Sequence, residues 1–316
     1  MRSLLWRYTK RLARQHKRVT LTLCLALLLC LLFGVHTVVA HIKKPDVTAA
    51  TSKTASVSNT RSTSTPASST TLPSSPSSLS QIITTWAGQQ SFSSTVVVKQ
   101  LTGGNQSVSY KGGTSMVSAS TFKIYVAYAI LHGIEQGKYS MSTVTDDGNS
   151  IQTDLDNMIL NSDNDAARTL GFLYGWDEID DLLESQGITS TTLNNYIPPS
   201  TTPVGDKHTT ASDLTNTLIK LYNGQLLNRS NTQLLLGLME QQNYRDAIPS
   251  GVPSSVTVAD KPGWLTPADG IDEYVENDAA IIYGPKGTYV LTIMTTGSST
   301  QALANLSKLV YTQLGQ

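Results

Sequence analysis

The sequence predicts an α+β fold: a five-stranded antiparallel sheet flanked by helices, together with an all-helical subdomain. Three observations lead there. Strand-like runs occur twice before residue 113 and three times after residue 254. A block of segments with helical spacing of apolar residues separates them. Glycine-rich turns join neighbouring runs at both ends. One sheet built from both ends of the chain, with helices packed on it, accounts for that order.

The chain has 316 residues and a formal net charge of zero, unevenly spread. Residues 1–18 carry seven Lys/Arg and no acid, leaving sixteen basic against twenty-three acidic side chains in the rest. A body with excess negative charge argues against nucleic-acid binding. Residues 19–40 contain no charged side chain, and a run of that length can cross a bilayer as a helix. The basic block then stays cytoplasmic and the chain beyond residue 40 is exported. The segment is either a retained anchor or a signal peptide cut after Val38-Val39-Ala40. Its length favours the anchor, giving a single-pass protein with an extracellular body; cleavage after Ala40 would give a secreted one. Both cysteines, Cys24 and Cys30, lie inside this run. The exported part therefore has no disulfide and depends on its core. Residues 41–80 are rich in Ser, Thr, Ala and Pro. They have too few large apolar groups to fold and are expected to be a disordered linker through cell-wall material.

The globular part is expected over residues 81–316. A helix over 80–90 follows from the spacing of Ile82, Ile83 and Trp86. Strands are expected over 94–101 and 106–112, joined at Gly103-Gly104-Asn105. A buried helix is expected over 116–131. Further helices are expected over 151–160, 165–174, 177–186, 209–223 and 231–242. Strands return over 255–261, 278–283 and 289–296, the last two joined at Gly284-Pro285-Lys286-Gly287. An amphipathic helix over 300–314 closes the chain. No internal repeat is visible.

Ser120 and Lys123 fall in the first turn of the 116–131 helix, and a spacing of three puts them on one face. A serine beside a lysine whose pKa is lowered by burial is a nucleophile with its proton acceptor. The same pair is also compatible with a helix cap and a lysine reaching for water. Two downstream features bear on the choice. Ser162-Asp163-Asn164 could be a simple helix N-terminus. Lys261-Pro262-Gly263 closes a predicted strand, although Lys111-Gly112-Gly113 fits the same pattern.

Taken in order, Ser-x-x-Lys, Ser-Asp-Asn and Lys-x-Gly on a strand resemble the penicillin-recognising serine hydrolases. The resemblance is closest to the class A β-lactamase group and covers residues 81–316. It includes Ser120-Thr121-Phe122-Lys123 before a long apolar run, and Ala259-Asp260-Lys261 after Arg245-Asp246-Ala247. It implies a β-lactamase/transpeptidase-like fold with a cleft between sheet and helical subdomain. It implies that Ser120 attacks the carbonyl and Lys123 takes its proton. Ser162, helped by Lys261, would pass a proton to the leaving nitrogen. Asn164 would bind the substrate's side-chain amide. The substrate would lie along the strand at Gly263 and Trp264, and the backbone N–H groups of Ser120 and Trp264 would form the oxyanion hole.

The chain also departs from that pattern. Class A enzymes use a glutamate to activate the deacylating water. Aligned on Gly187, Leu193 and Pro198, its place falls on Ile197, and no carboxylate lies between Glu184 and Asp206. Pro262 replaces a small hydroxyl that would help hold a substrate carboxylate. Trp264 stands where a small residue is commoner. Ser120 and Ser162 are only 42 residues apart.

The resemblance implies three possible functions: a β-lactam hydrolase with slow deacylation, a D-alanyl-D-alanine peptidase or transpeptidase acting on peptidoglycan stem peptides, and a non-catalytic wall-binding or β-lactam-sensing domain. A monomer is expected, without cofactor or metal. Of the histidines in the globular part, His132 reads as a helix C-terminal residue, and His208 leaves a Ser-His-Asp esterase as a weaker alternative. Tyr196 reads as loop packing.

Overall fold

The computed structural model describes residues 78–193 and 207–315. The basic segment, the 19–40 run, the linker up to residue 77, and Tyr196, Ile197 and Asp206 lie outside the described residues.

Helix α1 (Leu79–Gly88) starts earlier than expected because Ser78 and Gln81 form a capping box. Strands β1 (Ser93–Gln100) and β2 (Ser107–Tyr110) make a hairpin. The short strand β3 (Met116–Val117) and a 3₁₀ turn (Ala119–Phe122) precede α2 (Lys123–Glu135). The helical block continues with α3 (Ile151–Leu160), α4 (Asn164–Tyr174) and α5 (Trp176–Ser185). After β4 (His208–Thr209) come α6 (Ala211–Tyr222) and α7 (Arg229–Glu240). Strands β5 (Thr257–Leu265), β6 (Val275–Gly284) and β7 (Gly287–Thr296), then α8 (Thr300–Gln313), complete the fold.

The main sheet has five strands in the order β2-β1-β7-β6-β5, all antiparallel, so the two ends of the chain meet in its middle. The period-2 alternation of the strands divides the core in two. Val96, Val98, Ala280, Ile282, Leu291 and Ile293 pack with Ile83, Trp86, Leu303, Leu306 and Val310 from α1 and α8. Val97, Ala259, Ala279, Ile281, Val290 and Met294 face the opposite way, into the core of the helical block. Helix α2 runs through that second core, buried continuously from Ile124 to Leu131. A helix apolar on every side has to be central.

Two predicted elements differ. Met116 and Val117 are not helical; they pair with Thr209 and His208 as a two-stranded ribbon. This ribbon also takes Thr209 out of its predicted helix, which Thr210 caps instead by accepting from the Asp213 N–H at 3.0 Å. Strand β5 does not stop at Lys261 but continues through Pro262, Gly263 and Trp264 to Leu265. It is an edge strand, where proline's missing N–H is tolerated.

Candidate active site

The chain around Ser120 is set by contacts across the sheet. Asn277 of β6 donates to the carbonyls of Val117 at 2.9 Å and Ser118 at 3.1 Å, while its own carbonyl accepts from the Thr295 N–H. The Thr121 hydroxyl donates to the Ser118 carbonyl at 2.6 Å. Ala119 is thereby held at φ 44°, a left-handed conformation that costs a non-glycine residue about 1 kcal/mol. Ser162, between α3 and α4, has φ 55°. The two strained residues flank the same small volume.

Lys123 lies between them, fully buried. Its Nζ is 2.5 Å from the Ser162 carbonyl oxygen, 2.7 Å from Asn164 Oδ1, 3.0 Å from Ser120 Oγ and 3.2 Å from Ser162 Oγ. The first two partners can only accept. A neutral amine has two N–H donors and one lone pair, so donating to both leaves the lone pair for the Ser120 hydroxyl proton. The neutral form is accessible. Burial, and then the charge of Lys261, lower the Lys123 pKa to about 6, against the opposing pull of Asp163.

Lys261 projects from β5 onto the same face and is also fully buried. It donates to Ser162 Oγ and to the Pro262 carbonyl, each at 3.0 Å. Burial lowers its pKa to about 8, with Asp260 and Asp278 opposing. Ser162 Oγ therefore sits between an amine that titrates near 6 and an ammonium that titrates near 8. Asp163 caps α4 by accepting from the Ala166 N–H at 2.8 Å, which fixes Asn164 at the first turn. With its carbonyl turned to Lys123, Asn164 keeps its amide N–H groups as donors.

Gly263 closes the site on the sheet side. A Cβ there would lie 2.5 Å from the Ser120 nitrogen and 2.7 Å from that of Thr121, distances no side chain can adopt. Glycine lets β5 lie directly against the nucleophile's backbone. Trp264 follows, 38% exposed.

Six of the seven predicted site residues thus meet at one place: Ser120, Lys123, Ser162, Asn164, Lys261 and Gly263. Trp264 follows Gly263 on β5 but turns its ring to the other face of the strand, against Tyr244. His208 lies on β4, where its backbone pairs with Val117 and Thr192, and the Ser120 hydroxyl is engaged by Lys123. Sequence reading missed the groups behind Lys261. Asp260 and Asp278 project to the opposite face of the sheet and are fully buried. Arg245 donates to Asp260 and to the Val258 carbonyl, and the Ile248 N–H donates to Asp278 at 2.9 Å. Burial raises both carboxyls above the usual range, and the Asp278 charge raises Asp260 further. The signal available was Asp260 itself, an acid next to a candidate catalytic lysine inside an apolar strand.

A hydroxyl with a proton acceptor, a second hydroxyl able to donate, and a backbone open to an oxyanion are the parts of an acyl-transfer site. Among the described residues no cluster of His, Cys, Asp or Glu could hold a metal ion.

Comparison with known proteins agrees with this fold. The model of the beta-lactamase enzyme family matches residues 78–314. No curated protein sequence matches the chain. Among solved structures, PBP-A superposes with a TM-score of 0.67 at 22% identity, over 75% of this chain and 96% of that one. A double mutant of the class A β-lactamase of the last common ancestor of Gram-negative bacteria gives 0.66 at 22% identity, covering 76% and 100%. The β-lactamase from Sphaerobacter thermophilus gives 0.64 at 20%, covering 74% and 97%. At such identities the likeness establishes the fold.

Proposed function

Because the chain belongs to the beta-lactamase enzyme family, we propose that it is a serine acyl hydrolase that opens β-lactam amides through an acyl-Ser120 intermediate and releases that intermediate slowly. The observation that carries this reading is the coordination of Lys123. In the neutral form its two N–H bonds go to the Ser162 carbonyl and Asn164 Oδ1, which leaves the lone pair for the Ser120 hydroxyl, 3.0 Å away. Lys123 takes the proton as Oγ attacks the carbonyl. The Ser120 and Trp264 amides receive the oxyanion, and Ser162, polarised by Lys261, protonates the leaving nitrogen. Asn164 holds the acyl side-chain amide. No cofactor enters the reaction.

Slow release follows from the residues at the place of the deacylating base. Ile197 stands at the aligned place of the glutamate, with no carboxylate between Glu184 and Asp206. A variant of PBP-A has been solved as an acyl-enzyme complex with penicillin G. The same absence supports a second reading, a D-alanyl-D-alanine peptidase or transpeptidase in which Lys123 serves both half-reactions on peptidoglycan stem peptides. A wall-binding or β-lactam-sensing domain is the outcome if acylation occurs without any turnover. In each case residues 19–40 would hold a monomeric extracellular domain at the membrane, and the linker before α1, residues 41–77, would give it reach through the wall.

The test is incubation of the full-length chain with a fluorescent penicillin and a chromogenic β-lactam. Label on Ser120 with slow multiple turnover is expected. Label without turnover, followed by D-alanine release from a stem peptide, selects the peptidase. No label at all overturns the acyl-enzyme reading.

A further inference from the structure

Among the described residues, β5 and its neighbour β6 turn no uncommitted cation to the outer face of β5. Strand alternation sends Lys261 and Gly263 towards Ser120, and Pro262 and Trp264 to the opposite face. Across the ladder, Pro262 meets Asp278 and Trp264 meets Glu276, both acids. Lys261 is the only cation in β5 and β6, and it points away, to Ser162. Arg245 reaches this side but is already engaged by the Asp260 carboxylate and the carbonyls of Val258 and Met239. Pro262 offers neither hydroxyl nor N–H. Burial, and then Asp278, raise the Glu276 carboxyl to about 7, so it is about half ionised at neutral pH and carries its full charge above that.

The face presents aromatic surface instead. Trp264 is 38% and Tyr244 41% exposed, and their rings meet edge-on with centroids 4.8 Å apart. Tyr244 is held from both sides. Before it, the Asn243 N–H donates to the Leu160 carbonyl at 3.2 Å and its side-chain amide to Asn161 Oδ1 at 2.6 Å. After it, Arg245 is fixed to Asp260. A preformed aromatic pair with open ring surface gains by covering itself with an apolar or aromatic group. The leaving group has to stay within reach of Ser162 Oγ, which Lys261 ties to β5. β5 is an edge strand, so a leaving group that outgrows the Ser120 side meets its rim, where Trp264 and Tyr244 are exposed.

We propose that the leaving-group side of the site accepts uncharged, preferably aromatic, substituents and disfavours carboxylates, with Tyr244 and Trp264 as the recognition surface and Glu276 as the repelling charge. The inference rests on the acyl-Ser120 reading above and narrows its substrate class. A matched pair of acyl donors tests it: penicillin G and its uncharged benzyl ester. In both, the bond from Ser120 Oγ to the lactam carbonyl carbon forms, the lactam C–N bond breaks, and the hydroxyl proton ends on the ring nitrogen.

Acylation of the full-length chain is followed by mass spectrometry, with each rate divided by that donor's rate with hydroxide. The ester is expected to acylate about tenfold faster, since like charges placed together cost more than that factor when desolvated. Glu276→Arg should close or reverse the gap by raising the rate with penicillin G. If that variant does not fold, Glu276→Gln should narrow the gap. Trp264→Ala should remove the advantage of the benzyl ester over the methyl ester. Acylation by both donors at rates that do not favour the ester, or a preference untouched by Glu276 and Trp264 substitutions, overturns this inference and leaves the acyl-enzyme reading standing. Failure of both donors to mark Ser120 removes the acyl-enzyme reading itself.

Discussion

Gly263 and Ser120 are in backbone contact: a Cβ on Gly263 would come within 2.5 Å of the Ser120 nitrogen. The edge of the sheet and the nucleophile's turn are therefore one unit, and the space for an oxyanion depends on the absence of a side chain at residue 263. Gly263→Ala is expected to push β5 off the turn. It should lower the acylation rate about a hundredfold, the cost of losing one oxyanion donor. The stopped-flow acylation rate, with circular dichroism to confirm the fold, checks this.

The two lysines predict a bell-shaped pH profile for acylation. Below about 6, Lys123 is protonated and has no lone pair for the Ser120 proton. Above about 8, Lys261 loses the charge that polarises Ser162. The rate should rise through the first value and fall through the second. Arginine stays protonated over the whole range, so Lys261→Arg should remove the alkaline limb at some cost in rate. A profile whose alkaline limb survives that substitution would assign the limb to another group.

Ser162 touches both lysines, at 3.2 and 3.0 Å, so its loss should affect chemistry more than binding. Ser162→Ala is expected to reduce kcat for a β-lactam by about a hundredfold to a thousandfold, in the range of general-acid contributions. KM should change far less. Donors with good leaving groups need less proton assistance, so they should lose less.

The buried acids behind Lys261 give a stability prediction with a definite sign. Burial raises the Asp278 carboxyl above its ordinary value of 3.8. Through that range the folded chain binds more protons than the unfolded one, so stability falls as pH rises. Asp278→Asn keeps an acceptor for the Ile248 N–H and removes a buried charge. Its melting temperature should equal or exceed that of the parent above neutral pH, with a flatter dependence on pH. A steeper loss on the alkaline side would show that the carboxylate is stabilising.

Arg245 is the counterpart of this cluster. Arg245→Met would leave Asp260, fully buried, without its cation. Removing one partner of a buried pair costs about 3 kcal/mol or more. Urea denaturation should show a loss of that order on the alkaline side, where Asp260 is ionised, and a smaller one as the pH falls and Asp260 binds a proton.

Much of this was legible in the residues themselves. The α3 helix, Ile151–Leu160, falls where the apolar spacing puts it, and the β6–β7 hairpin turns at Pro285-Lys286 between paired Gly284 and Gly287. Such features depend on neighbours a few positions apart, and local sequence encodes them. The strand at Met116 and Val117 was not legible, because its partners, Thr209 and His208, lie about ninety positions away. An apolar pair beside a helix carries no sign of a distant strand.

By itself, then, the sequence determined which groups could react and in what order they occur: a serine, two lysines and a Ser-Asp-Asn turn, on elements whose period and turns are local properties. Only the tertiary structure decided that Lys123 is dry enough to lose its proton, that Asp260 and Asp278 stand behind Lys261, and that Tyr244, Trp264 and Glu276 meet at the edge of β5. The physical reason is that a proton affinity or a surface chemistry belongs to an environment. That environment is built from segments far apart in the chain, which only the packed sheet and helices bring together.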